Sequence, residues 1–198
     1  RLAIAADDGT AAAFDSVSGA VAQWLGDAGV GKVLHDAKGP LLAARALGVE
    51  IAGLVGDTAL EAYLLLPGQR SFPLGDLTAR FLHRDLVEPS ASDQLTMDGL
   101  EDTAGQELAD SAAAVLALHV ELTTQLGPVG RALLDDMELP LEHVLVSMER
   151  AGIAVDLERL HGLQDAFDAQ IAEVTAEAHS LAGREFNLGS PKQLQDIL

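Results

Sequence analysis

Four consecutive residues, Ser190-Pro191-Lys192-Gln193, have the types and spacing of a helix start that could meet an anion. Ser190 can cap the first turn, Pro191 suits the first helical position, and Gln193 can complete a capping box. Free N–H groups point outward at such a terminus, and Lys192 adds a positive charge beside them. A phosphate is the usual anion for that arrangement. A second stretch, Gly26 to Val33 (GDAGVGKV), nearly fits the phosphate-binding loop GxxxxGK[ST]. Val33 stands where a hydroxyl should hold magnesium, and a helix precedes the loop where a strand is required, so it reads as a helix-to-strand connection.

Carboxylates are the other chemically useful group. A two-metal nuclease centre needs several of them on neighbouring elements, gripping ions roughly 4 Å apart. Asp7, Asp8, Asp36, Asp57, Glu61, Asp102 and Asp110 are the positions to consider. Asp7 and Asp8 fall in a hairpin turn, and Asp57 has the place of an N-cap with Glu61 one turn later. With 31 acids in the chain, chance pairs are expected, and no metal is assigned. No GxSxG elbow supports a serine hydrolase, and the six His form no HxH or HxxxH pair.

The elements that would position these groups follow from periodicity and turn signals. Residues 2–6 and 11–15 read as a hairpin around Asp8-Gly9. Residues 17–26 read as a helix, 31–36 as a short strand, and 40–47 as a helix opened by Pro40. A brief extended piece over 49–56 leads to a helix capped by Asp57 and ended by Pro67-Gly68. Another helix is opened by Pro73, and a long one spans about Leu100 to Gly127. Strands early and helices late give an α/β layer with a small mixed sheet over residues 1–127. After Gly127, Leu134, Met137, Leu141, Val144 and Met148 recur at helical spacing. Beyond a break at Gly152, Leu160, Phe167, Val174 and Leu181 repeat every seven residues, with Leu157, Gln164, Ile171 and Ala178 as the companion row. Two rows of this kind describe an a/d seam, expected as internal core of a long antiparallel helix pair.

Charge and composition narrow the function classes. The chain has a formal net charge of −19, with 18 acids and 7 bases before residue 129 and 13 and 5 after it. Neither part has the basic face of a free-standing nucleic-acid binder. Cysteine is absent, which excludes disulfides and thiolate metal sites and fits a reducing cytoplasm. No run approaches the length of a membrane span.

Four stretches together resemble the family A DNA polymerases of the bacterial DNA polymerase I type. "ELPLEHVLVSMERAGIAVDLERL" is similar to the family's opening of the polymerase domain, E-x-P-L-x-x-V-L-x-x-M-E-x-x-G-[IV]-x-[IV]-D. "AGREFNLGSPKQLQDIL" is similar to its AG-x-x-FN-x-x-S-x-x-QL motif at the start of the thumb. "GVEIAGLVGDTALEAYLL" and "PLGDLTARFL" resemble its 3′–5′ exonuclease-type domain. The Ala-rich, Lys-poor usage looks actinobacterial.

The resemblance implies a ribonuclease-H-like exonuclease fold over 1–127, its first strand missing, and an all-α thumb base over 128–198 containing the Leu133–Leu181 helix pair. The family's exonuclease metal positions fall on Pro40 and Ser111, and its Tyr on Glu107. Asp36 matches the family's Asn, and Asp110 lies one residue from the last ligand position, a helical rotation of about 100°. An inactive exonuclease-like scaffold without catalytic metal is therefore implied. The palm carboxylates and the Mg they hold would belong to the complete polymerase, beyond Leu198. Asn187, Ser190, Lys192 and Gln193 would approach the backbone of a primer–template duplex, positioning it without reading sequence. A monomeric, cytoplasmic, nucleoid-associated enzyme without membrane contact follows. A stand-alone metal-dependent 3′–5′ exonuclease and a non-catalytic helical interaction module are the alternatives.

Overall fold

The computed structural model describes residues 1–86 and 103–197. Asp102 and the expected helix start near Leu100 lie outside these residues. Two compact units are present, Arg1–Ala151 and Gly152–Leu198. Residues 128–151, expected with the second domain, thus pack with the first unit.

In the first unit, β1 (Leu2–Ala5) and β2 (Ala11–Phe14) form the expected antiparallel hairpin, Leu2 opposite Phe14 and Ala5 opposite Ala11. Its turn is closed by bonds from the Gly9 N–H to the Ala6 carbonyl (3.0 Å) and from the Ala6 N–H to the Thr10 carbonyl (2.8 Å). Helix α1 (Ala20–Gly26) leads to β3 (Lys32–Leu34), α2 (Lys38–Ala46) and β4 (Leu54–Asp57). β3 and β4 pair in parallel with an irregularity between Lys32 and Val33. The expected small mixed sheet is instead two separate two-stranded sheets among the described residues. Strands of three and four residues offer few ladder bonds, and helices supply most of the core.

Helices α3 (Thr58–Leu65), α4 (Leu74–Leu82) and α5 (Thr103–Leu133) follow. One core gathers Leu25, Ala37, Leu41, Ala44 and Ile51 with Val146, covered by Trp24, Val21 and Leu34. The other joins Ala62, Leu77, Leu118 and Leu122, flanked by Phe72, Phe81 and Leu65. In α5, Ala114, Leu118 and Leu122 recur every four residues, so they line one face, and all three are buried. The break expected at Gly127 is present: its φ of 64° interrupts α5, and Pro128 starts the next turn.

The chain then runs through a π-helical turn, Leu134–Glu138, into α6 (Leu139–Ala151). Here the sequence reading is corrected. Met137, Leu141, Val144 and Met148 are exposed, and Leu134, Leu139, Glu142 and Val146 are buried. An i→i+5 turn accommodates one residue more than an α-turn, so the helix beyond it presents a face rotated by about 100°.

In the second unit, Asp156 caps α7 (Leu157–Ala182) by accepting from the Arg159 N–H at 2.9 Å, and Gly183 ends it in the left-handed conformation. A short α8 (Pro191–Gln195) follows. The seam expected as internal core has no cover within the second unit. α7 has no buried residue, with Phe167 59% and Leu181 83% exposed. Periodicity identifies an apolar face but not what lies against it.

Candidate functional site

The best-formed element of the proposed DNA contact is the turn before α8. Ser190 is in the extended conformation of an N-cap, and its hydroxyl accepts from the Gln193 N–H at 3.4 Å. Gln193 does not close the box onto Ser190. Its side-chain carbonyl accepts from the Asn187 N–H at 2.8 Å, while the Ser190 N–H bonds the Asn187 carbonyl at 2.9 Å. The Asn187 side-chain oxygen accepts from the Gly189 N–H at 2.9 Å. Asn187, Ser190 and Gln193 are thus brought together as one knotted turn. Lys192 projects exposed from the first turn of α8.

His179, on the last turn of α7, anchors the same turn and was not singled out from sequence. Its Nε2 lies 2.8 Å from the Phe186 carbonyl and 3.3 Å from the Phe186 N–H, donating to the one or accepting from the other according to the tautomer, and its ring meets Phe186 edge-on at 5.3 Å. A histidine seven residues before an aromatic carries no local signature, so only the fold reveals it.

The exonuclease-type positions look different. Pro40 is exposed within α2 and has no donor atom. On α5, the Ser111 hydroxyl donates to the Glu107 carbonyl at 2.8 Å, an ordinary helical back-bond. Asp110 accepts from Gln106 at 2.9 Å. Asp8 accepts from the Thr10 hydroxyl (2.7 Å) and N–H (2.9 Å), and the hydroxyl bond above all pulls its carboxyl below the ordinary range. Among the described residues, no three His, Cys, Asp or Glu side chains are placed to hold a metal. In the near-P-loop, Lys32 is buried, its ammonium bonded to the Asp27 carbonyl and 5.1 Å above the Trp24 ring. That ammonium is turned into the fold and serves the loop itself.

Three buried carboxylates occupy the first unit, each in a different setting. Asp57 accepts from four backbone N–H groups: Ala59 (2.8 Å) and Leu60 (3.3 Å) of α3, and Asp36 (3.1 Å) and Ala37 (2.6 Å) ahead of α2. It therefore ties two helix N-termini to one side chain, where the helix dipoles favour negative charge. Glu61 is fully buried, with Oε1 2.6 Å from His119 Nδ1 on α5. Burial pushes its carboxyl up, opposed by the bond to His119. Gly56 permits the pair: a Cβ there would lie 2.5 Å from His119 Nδ1 and 2.7 Å from Glu61 Oε1. Glu142 on α6 is 8% exposed, and burial, then the charges of Asp57 and Asp36, push it up to about 7. Sequence reading found the Asp57 cap. It missed the long-range partners of Asp57 and Glu61 and the burial of Glu142, which no local spacing encodes.

A shallow cleft of about 490 Å³ is lined by Leu54, Val55, Arg131, Asp135, Leu139, Pro140 and His143. Its guanidinium is engaged by Asp135 at 2.8 Å and by the Val55 carbonyl at 3.4 Å, and it gathers no nucleophile and base.

Comparison with known proteins gives the class first. The structure is similar to that of the "POL domain of Pol1 from M. smegmatis complex with DNA primer-template and dNTP". The TM-score is 0.80 at 42% identity, over 99% of this chain and 33% of that one. No family model matches the chain. DNA polymerase I of Mycobacterium tuberculosis is 41% identical over 208 residues, taking in 100% of this chain. That of Geobacillus stearothermophilus is 34% identical over 184 residues and 88% of the chain. The chain belongs to the bacterial DNA polymerase I family. It spans 23% of the mycobacterial relatives' length. The fold is mostly helical with few strands and matches part of a polymerase domain structure. Among the described residues, no helix is long and apolar enough to cross a membrane.

Proposed function

We propose that this chain is the part of a DNA-directed DNA polymerase in which an exonuclease-like scaffold adjoins the base of the thumb, and that the turn before α8 helps hold a primer–template duplex. The likeness over 99% of the chain to a polymerase domain whose structure contains primer–template DNA carries the reading. The knotted turn of Asn187, Ser190 and Gln193 supports it, because the side-chain oxygens fix the backbone by accepting N–H bonds and leave the amide NH2 groups of Asn187 and Gln193 and the Ser190 hydroxyl hydrogen to donate. The exposed ammonium of Lys192 adds a positive charge beside them. These contacts position the duplex and carry no sequence information.

The scaffold part has a degenerate ribonuclease-H-like fold. Proline at 40 and a back-bonded serine at 111 do not fit a two-metal exonuclease, and no hydrolytic step is assigned to this chain. Magnesium serves the complete polymerase through residues outside these 198. The exposed seam of α7 supports a covered face in the complete enzyme, which acts as a cytoplasmic, nucleoid-associated monomer.

Replacing Lys192 by Glu in the complete polymerase tests the duplex contact. Removing one phosphate contact reduces the slope of log affinity against log salt by about 0.9. An unchanged slope removes Lys192 from the interface. Mg- or Mn-dependent digestion of a single-stranded primer, abolished by Asp57→Ala, would overturn the inactive scaffold.

A further inference from the structure

Glu142 is a buried carboxyl with no counter-ion in contact among the described residues. It faces into the first unit from α6, and its Oε2 is fully buried without a hydrogen-bond partner. α6 packs against the π-helical turn, α2 and β4. From β4 it meets the charge of Asp57, and from the turn before α2 that of Asp36. From α2, Lys38 attracts it, and that ammonium is paired with Glu149 at 3.1 Å. Arg45 of α2 bonds the Ser147 hydroxyl at 3.2 Å. The π-helical turn adds Asp135, Asp136 and Glu138, with Asp135 held by Arg131 at 2.8 Å. α6 itself carries His143, Glu149 and Arg150. A metal does not relieve this concentration of negative charge, since the described carboxylates are not placed to share one. Asp57 has four N–H donors and Glu61 has His119, but nothing of the kind serves Glu142.

We propose that a proton on Glu142 holds α6 against α2 and β4, and that ionisation of this one side chain is the latch by which α6 loosens from the first unit. An ionised carboxylate in this place leaves a charged oxygen without a donor beside two other carboxylates. Opening α6 returns it to water. The docked group, at about 7, binds its proton more tightly than the open group, which has the ordinary value near 4.5. Docking is therefore strongest below the ordinary value. It weakens as pH rises toward about 7 and levels off above that.

Amide hydrogen exchange of the 198-residue chain, corrected for intrinsic rates, measures this directly. Between pH 5.5 and 7.5, protection of the α6 amides should fall by about tenfold to thirtyfold, the window of a single proton linked to opening. Glu142→Gln keeps the shape and cannot ionise, so its α6 protection should be flat across the same range. A variant with the wild-type slope overturns the proposal. If the variant does not fold, carboxyl-carbon NMR of the wild-type chain decides. The Glu142 midpoint must coincide with that of α6 protection, and a midpoint in the ordinary carboxylate range, or divergent midpoints, overturns it.

Discussion

Residues 1–151 and 152–198 use equally regular apolar patterns and reach opposite ends. In the first unit, Ala114, Leu118 and Leu122 of α5 are fully buried, the two leucines against α3 and α4. In the second, Leu160, Phe167, Val174 and Leu181 keep their sevenfold spacing along α7 and remain exposed. A helix face is a property of its own sequence, whereas burial is a property of its neighbours. Most helical stability comes from packing, so the first unit carries its own core and α7 stands on propensity, its caps and length.

Four substitutions sharpen this contrast. The largest effect is expected in the first unit at His119. His119→Leu leaves Glu61 buried with neither oxygen partnered, and breaking such a pair costs about 3–5 kcal/mol. Urea unfolding at pH 7 measures it, and the loss should shrink in the double variant with Glu61→Gln, because no buried charge is then stranded. Next comes a matched pair. Leu118→Ala opens a cavity in the first unit at about 2–5 kcal/mol. Phe167→Ala on α7 should stay within about 0.5 kcal/mol in this chain. Equal losses at the two sites would show that α7 is covered after all. The most local effect falls on α8. Ser190→Ala removes the cap and costs about 1 kcal/mol of local stability. Exchange of the Gln193 and Leu194 amides should report it, without change in α5.

Much of the local structure was legible because its causes are local. Asp8-Gly9 specifies a hairpin, Asp57 caps α3 two and three residues on, and Gly127-Pro128 interrupts a helix whatever surrounds it. Of the proposed DNA contact, Ser190 as cap was legible. Gln193 reaching back six residues to Asn187 was not, since a capping box predicts the Ser190 N–H instead. The family resemblance was carried by long motifs around Pro140 and Asn187, which is why it survived errors in the elements between them. What stayed hidden depended on distance along the chain. Asp57 meets Ala37 across 20 residues, and Glu61 meets His119 across 58. The face of α6 was misread because periodicity was extended through Leu134–Glu138 as though that turn were α-helical.

That π-helical turn acts as an insertion preserved inside a continuous helix. Removing a single residue there would restore uninterrupted α-helical geometry and leave Leu139, Glu142 and Val146 on the core face, because the turn absorbs the extra residue within itself. In a residue-by-residue comparison, a relative that lacks the extra residue therefore takes its gap within Leu134–Glu138, and a gap placed downstream shifts every core position before it by one.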